Sequence, residues 1–229
     1  MHIAGFQKLS LIDYPGKVAS VVFTQGCNFR CPYCHNPELI PMKAENGAPE
    51  EEVLAYLETH HAMLEGVCIT GGEPTMQSDL PDFMRRIRSL GFLVKLDTNG
   101  SNPAMVERVI ADRLADYFAM DLKHSWQRYD RVAKTNNATV IENCKKTLRL
   151  IQDSGVDHEF RTTVFPQEHR EEDFFDIVRE LREGERYFLQ RISYQKTLNP
   201  RLNRSATLNV DNIAQKLQEA YPRVTIGVR

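Results

Sequence analysis

Short apolar runs alternate with amphipathic stretches along the whole chain. Apolar or alternating runs bounded by turn residues predict strands over 18–24, 67–70, 92–97, 117–122, 159–164, 187–193 and 224–228. Between them, apolar positions recur at helical spacing over 49–64, 80–90, 103–113, 139–153, 171–182 and 211–220. Pro49 opens the first helix ahead of Glu50, Glu51 and Glu52, whose charge suits the positive end of a helix. Pro103 plays the same part after Ser101 and Asn102, and Gly66, Gly91 and Gly155 fall where helices should stop. Strand–helix alternation at this spacing predicts βα units and a parallel sheet. A closed eight-unit barrel takes about 250 residues. With 229 residues, the chain is expected to be an α/β protein: a partial, open (β/α)6 barrel of parallel strands, single domain over 1–229. An open doubly wound sheet is the alternative. The one long stretch without an element lies within 25–48, where the cysteines are, and long loops inside compact domains are usually functional.

Hydrophobic residues make up 41% of the chain and charged residues 26%, which excludes a disordered or fibrous class. Lys and Arg number 29 against 31 Asp and Glu, a net charge of −2, so no broad nucleic-acid-binding face is signalled. No run approaches the roughly 18 apolar residues of a membrane span, and the start, MHIAGFQKLSLIDYPGK, lacks the pattern of a secretory signal. The expectation is a cytoplasmic protein with no membrane and no nucleic acid as partner. Five cysteines are too few and too uneven for a disulfide scaffold. Cys68 and Cys144 read as packing residues. His60 and His61 read as solvated, Arg201 and Arg204 as loop charges. Trp126 and Tyr129 read equally well as a lining of the barrel mouth or a cover for its end.

The informative segment is Gly26-Cys27-Asn28-Phe29-Arg30-Cys31-Pro32-Tyr33-Cys34-His35, a C-x3-C-x2-C pattern directly after the first predicted strand. Three thiolates from one short loop can wrap one face of a compact cluster, and a four-iron cluster ordinarily takes four cysteines. Three and no obvious fourth would leave one iron open to an outside ligand. Other chemistries share parts of the pattern. Cys31 to His35 is C-x-x-C-H, as in haem attachment, but that needs export; a thioredoxin-like pair would leave Cys27 without a role. His35 could also complete a Cys3His zinc set.

Polar residues follow each later strand. Thr70-Gly71-Gly72-Glu73-Pro74 follows the second, Asp97-Thr98-Asn99-Gly100 the third and Asp121-Leu122-Lys123-His124 the fourth. The fifth carries Arg161 and the sixth leads to Tyr194-Gln195. Each alone is ordinary turn or cap chemistry. In a parallel barrel, however, the strand carboxyl ends converge on the active site. Together they describe a mixed-charge rim facing the cysteine loop, suited to a zwitterion with Glu73 toward its amine and Lys123 toward its carboxylate.

These residues resemble the radical S-adenosylmethionine superfamily, whose cluster motif is C-x3-C-x2-C with an aromatic before the last cysteine and whose methionine-amine motif is GGEP. The start, GFQKLSLIDYPGKVASVVFTQGCNFRCPYCHNPELI, with DTNG and MDLK, looks like the glycyl-radical-enzyme activases, most of all those serving anaerobic ribonucleoside-triphosphate reductase. The resemblance implies a [4Fe–4S] cluster on Cys27, Cys31 and Cys34, with S-adenosylmethionine at the open iron. It implies Tyr33 and His35 near the adenine, and Gly71, Gly72 and Glu73 at the methionine amine. Asp97, Thr98 and Asp121 would hold a monovalent cation or the cofactor's polar groups, Lys123 the carboxylate, and Arg161 matches an active-site arginine. Asp13, in the Asp-Tyr-Pro-Gly turn, matches a position near the substrate glycine. Gln195 stands where formate-lyase activases have a histidine, which weighs against that subfamily and leaves ribose binding there open. No cysteine-rich insert for further clusters is present. The implied activity is reductive cleavage of S-adenosylmethionine and hydrogen abstraction from a glycine of a partner enzyme, fed by a flavodoxin- or ferredoxin-type donor. A radical enzyme acting on a small molecule or peptide, or a non-catalytic zinc module, are the alternatives.

Overall fold

The computed structural model describes residues 1–43, 47–135 and 137–229, so residues 44–46 of the expected 25–48 loop lie outside the described residues. Strand β1 (Ile3–Ser10) pairs antiparallel with β2 (Ala19–Thr24). From β2 onward every pairing is parallel: β3 (Gly66–Gly71), β4 (Leu93–Thr98), β5 (Tyr117–Asp121), β6 (Asp157–Val164), β7 (Arg186–Arg191) and β8 (Thr225–Val228). Neighbours in the sheet follow chain order and the sheet stays open, which is the partial barrel that the strand–helix alternation predicts.

Two periodicities fix which residues face where. In β5, Phe118 and Met120 point outward into the main apolar core, while Tyr117, Ala119 and Asp121 point into the barrel. Helices α1 (Glu50–Thr59), α2 (Leu80–Ser89), α3 (Pro103–Ala111), the single turn α4 (Asp130–Ala133), α5 (Ala138–Asp153), α6 (Glu171–Val178) and α7 (Val210–Ala220) supply the other side of that core. In α2 the buried residues Leu80, Phe83, Met84 and Ile87 follow the i, i+3, i+4, i+7 stripe. Its outer face carries Arg85, Arg86 and Arg88, which pair with Asp112, Glu50, Glu51 and Asp116. Cys68 and Cys144 are fully buried, as a packing role requires. The floor of the barrel is closed by Tyr14 against Tyr117, rings 5.9 Å apart, with Ala19 and Ala119 beside them.

Several expectations change. Strand β1 has no strong alternation, since only its end residues, Ile3 and Ser10, are buried; it exists because its backbone completes the edge of β2. The first helix ends at Thr59 instead of 64, where the His60 ring stacks on Tyr56 at 3.8 Å and takes up the Tyr56 carbonyl. Gly66 therefore begins β3 and stops no helix. α6 ends at Val178, short of 182, because Glu185 draws the Arg182 N–H into a turn at 2.8 Å. Among the described residues no helix is long and apolar enough to cross a membrane.

Phe118 is fully buried between sheet and helices. Phe118→Ala is expected to lower stability by about 3–5 kcal/mol, read as a fall in the urea midpoint with unchanged slope. A loss under about 1 kcal/mol would contradict close packing on that face.

Candidate active site

The cysteine loop leaves β2 and is held from every side. The Gly26 and Cys27 N–H groups donate to Leu39 and Ile40 at 2.7 and 3.1 Å, and the Gln25 amide spans to the Glu38 and Pro41 carbonyls. Arg30 reaches back to the Cys27 carbonyl at 2.7 Å, and its own N–H donates to Ala133. From the far end of the chain, Leu198 and Asn199 donate to the Cys34 and Pro32 carbonyls at 3.1 and 2.9 Å. Phe29 and Tyr33 are buried beneath the loop, against Tyr129 and Phe165. A loop with so many ties is rigid without a regular element.

Cys27, Cys31 and Cys34 line one wall of a cleft of about 430 Å³. Burial pushes the Cys27 thiol up to about 11 and Cys31 up to about 12, and raises Cys34, while the Lys123 charge opposes this at each. Cys31 is buried and Cys27 and Cys34 are half-buried, and such thiols become thiolates once a cationic centre compensates their charge. The N–H of Phe29 already points at the Cys27 sulfur, 3.4 Å away. Among the described residues no three His, Cys, Asp or Glu side chains converge as a single ion needs, so a Cys3His zinc set with His35 is not preformed.

The opposite wall is the Gly-Gly-Glu-Pro turn after β3. Gly71 has φ +117°, and a Cβ on Gly72 would lie 2.1 Å from the Gly26 carbonyl oxygen. The two loops touch through backbone, sealed by the Glu73 N–H donating to that carbonyl at 2.8 Å. The Glu73 side chain, expected to face an amine, is 1% exposed. Its Oε1 accepts from the Thr75 N–H and hydroxyl and from the Thr98 hydroxyl, and Oε2 from the Asn99 N–H at 2.6 Å. Burial raises its pKa and these four donors resist the shift. Glu73 thus ties the ends of β3 and β4 together, leaving Oε2 one lone pair for a ligand.

The third wall is ionic. Arg161 lies between two carboxylates, Nε 2.9 Å from Asp121 Oδ1 and Nη1 3.3 Å from Asp97 Oδ2. Lys123 holds the other Asp121 oxygen at 2.8 Å, and the buried Lys95 ammonium holds the other Asp97 oxygen. Burial alone would raise both carboxylates; the adjacent cations win and hold both below the usual range. The expectation that Asp97, Thr98 and Asp121 offer a donor set to a free cation therefore does not fit. Every carboxylate oxygen already faces a protein cation, and the Thr98 hydroxyl donates to Glu73 while accepting from Gly100. Lys123, expected at a ligand carboxylate, shares its charge with Asp121.

Asp13, His35, Gly71, Gly72, Glu73, Asp97, Thr98, Asp121, Lys123 and Arg161 all line the same cleft as Tyr33 and the cysteines. Gln195 does not: it is exposed beyond the strand, and Gln190 and Arg191 of β7 line the cleft instead. Strand β7 ends at Arg191 instead of 193, which moves the rim by one turn of chain. Trp126 stacks on Tyr129, which is fully buried and so covers the barrel end. Sequence spacing also gave no hint of Lys95 or His169. His169 accepts the Phe165 N–H on Nδ1 at 2.8 Å and donates from Nε2 to the Lys123 carbonyl at 2.9 Å, which fixes the neutral tautomer. It thereby holds the backbone of Lys123 and the residue packed on Tyr33.

Comparison with known proteins places these features in company. The profile of the Radical SAM superfamily matches residues 21–181. The chain is 35% identical over 191 residues to a putative glycyl-radical enzyme activating enzyme of Methanocaldococcus jannaschii, covering 82% of this chain and 78% of that one. It is 32% identical over 128 residues to the pyruvate formate-lyase-activating enzyme of Clostridium pasteurianum, covering 54% of this chain and about half, 52%, of that protein. Among solved structures, Streptococcus suis SuiB bound to its precursor peptide SuiA superposes with TM-score 0.69 at 13% identity, covering 91% of this chain and 48% of that one. QueE of Escherichia coli superposes with TM-score 0.57 at 17% identity, covering 98% of this chain and 92% of that one.

Burial, with the neighbouring His124, lowers the His169 pKa to about 3. Below the unfolded value of about 6.5 the unfolded chain takes a proton that the folded one refuses, so stability is expected to fall as pH drops from 6.5 toward 3, by at most about 1.4 kcal/mol per unit from this group. His124, also lowered, adds to the slope. His158, raised by Glu185 despite its burial, contributes stability that is gained as pH falls to about 6.5 and is fully present below it, so it opposes the decline only near and above that pH. Urea titrations at pH 7.0, 6.0 and 5.0 should show this decline, and His169→Asn should flatten it. Gly72→Ala is expected to separate the two loops, with loss of ligand binding in the cleft and a circular dichroism spectrum unchanged.

Proposed function

In a chain that belongs to the radical SAM superfamily and is an enzyme of the glycyl-radical-activating type, we propose that the partner is an anaerobic ribonucleoside-triphosphate reductase. The observation that carries this reading is one cleft bounded by the three thiols, the Gly-Gly-Glu-Pro turn and Asp13. The [4Fe–4S] cluster of the family, when bound, supplies the electron that splits S-adenosylmethionine and so the power to remove a hydrogen atom from a glycine Cα.

The residues present fit these groups. Cys27, Cys31 and Cys34 would hold the cluster, since burial disfavours their thiolates and a bound metal centre would compensate that charge. Buried Phe29 and Tyr33 keep water from that wall. The Tyr33 hydroxyl is buried beside Thr163 without a hydrogen bond of good geometry, a free polar atom suited to an adenine together with His35. The Gly71 and Gly72 backbone and the spare Glu73 lone pair suit an ammonium group. Lys123 and Arg161 suit a carboxylate or hydroxyls, keeping their charges at every physiological pH because Asp121 and Asp97 stabilise them against burial.

Asp13 sits where a partner loop would enter. Its carboxylate is drawn in by the Ser10 hydroxyl at 2.5 Å, and that same oxygen accepts the Asp13 and Ile12 N–H groups. This closes a tight turn that holds the side chain at the cleft, where it could meet an extended peptide of the partner. The choice of reductase over formate-lyase rests on the resemblance carried by the segments 5–40, 97–100 and 120–123 quoted above; Gln195, which lies outside the cleft, does not bear on it. A cytoplasmic site and a flavodoxin- or ferredoxin-type electron donor complete the proposal.

Anaerobic incubation with reductant, S-adenosylmethionine and the partner reductase should give a glycyl signal in electron paramagnetic resonance. Cluster-loaded protein that makes methionine but no such signal, with deuterium arriving from a small molecule or another peptide, would refute the assignment. Zinc without iron or sulfide in anaerobically prepared protein would refute the radical chemistry as well. Cys31→Ala is expected to lose iron and methionine formation together. Asp13→Asn should keep methionine formation and lower the glycyl radical yield about tenfold or more, as a positioning defect does.

A further inference from the structure

We infer that the ammonium of Lys95, with Arg161 across from it, takes the place of a bound monovalent cation, so that the site works without free sodium or potassium. Lys95 stands two residues before Asp97 on β4, and both project from the inner face of the barrel. The lysine is 2% exposed, ion-paired to Asp97, with its Nζ 3.7 Å from the Cys68 sulfur. Its register partners on β3 and β5 are Cys68 and Tyr117, and among the described residues Asp97 is the carboxylate that bonds to it.

Charge accounting supports the same conclusion. Asp97, Asp121 and Glu159 on the inner wall face Lys95, Arg161, Lys123 and Arg229. Glu159 is satisfied by Arg229 at 2.7 and 2.8 Å and by the Tyr117 hydroxyl at 2.9 Å. With Glu73 ionised, these four carboxylates are matched by the four cations, while Asp13 stands at the mouth, hydrogen-bonded to Ser10. A desolvated cation entering the wall would need to displace an ion pair and would then leave a buried lysine uncompensated. Removing the lysine charge reverses this. Asp97 keeps only Arg161, one of its oxygens is free, and the emptied volume lies beside a buried carboxylate. Such a vacancy would select a small monovalent ion.

The test uses the full chain and a readout that does not depend on the proposed function. Thermal unfolding of the protein is measured in potassium, sodium and choline chloride at equal ionic strength. The protein itself should give one midpoint in all three. Lys95→Met should unfold at a lower temperature in choline and recover along a single-site curve as potassium or sodium is added, by about 3–6 °C at ten times the dissociation constant. Lys95→Arg, which keeps the charge, should stay indifferent to the salt. A midpoint of the unaltered protein that follows the identity of the cation would overturn the inference, as would a Lys95→Met variant indifferent to it. Should Lys95→Met fail to fold, Lys95→Gln replaces it, and the unaltered protein still decides the first arm. In cluster-loaded protein, S-adenosylmethionine affinity should vary by less than about twofold among the three salts. That arm rests on the proposed function, so an absence of S-adenosylmethionine binding would count against that reading while the unfolding data stand apart.

Discussion

The ion pairs of Arg161 with Asp97 and Asp121 hold the mouth of this barrel together. A parallel barrel ordinarily fills its interior with branched apolar side chains. Here the upper interior is polar, and each buried carboxylate survives because cations of its own strand and of a strand nearby face it. Arg161 links the ends of β4, β5 and β6 in one contact. Lys95 and Lys123 complete the pairs, and Arg229 with Glu159 repeats the arrangement lower down. Breaking any one pair strands a charge in a dry place, so the strand ends are locked in relative position. This rigidity lets a shallow opening serve as a site whose groups keep fixed charges.

A second constraint is backbone proximity. The turn after β3 and the cysteine loop meet where Gly72 presses against the Gly26 carbonyl, with no room for a side chain. Glu73 then anchors the turn to β4 through Thr98 and Asn99. The glutamate of the motif is therefore a structural clamp as much as a ligand group. It uses most of its lone pairs on the protein, and the ligand face is left largely to backbone atoms. Opposite, the thiols sit over the buried rings of Phe29 and Tyr33, with Cys31 itself buried. The cleft thus brings together a wall of three thiols and a wall of backbone and paired charges.

Much of this was legible in local pattern. Cysteine spacing, paired glycines and polar residues after successive strands are short-range signals, and the parallel topology alone carries them to one rim. Strand β1 was not legible because its stability comes from pairing with β2 and only its two end residues are buried. The position of Gln195 was misjudged because β7 ends at Arg191, and a strand's end is set by its neighbours' hydrogen bonds, which run out with Val164 on β6. Lys95 sits in an apolar strand where its charge reads as an interruption; only the inner-face register shows that Asp97 and Arg161 compensate it.

The amino-acid sequence by itself determined the strand–helix alternation, the three-thiol loop and the chemistry of the strand ends. Each of these is written in residues close together in the chain, where spacing and turn chemistry act directly. The tertiary structure alone decided which charges meet, which carboxylates remain available and which rim residues turn inward. Those outcomes depend on desolvation and on partners far apart in sequence, such as Asp97 with Arg161 or Lys123 with His169, and the free energy of a buried charge is set by all its neighbours at once.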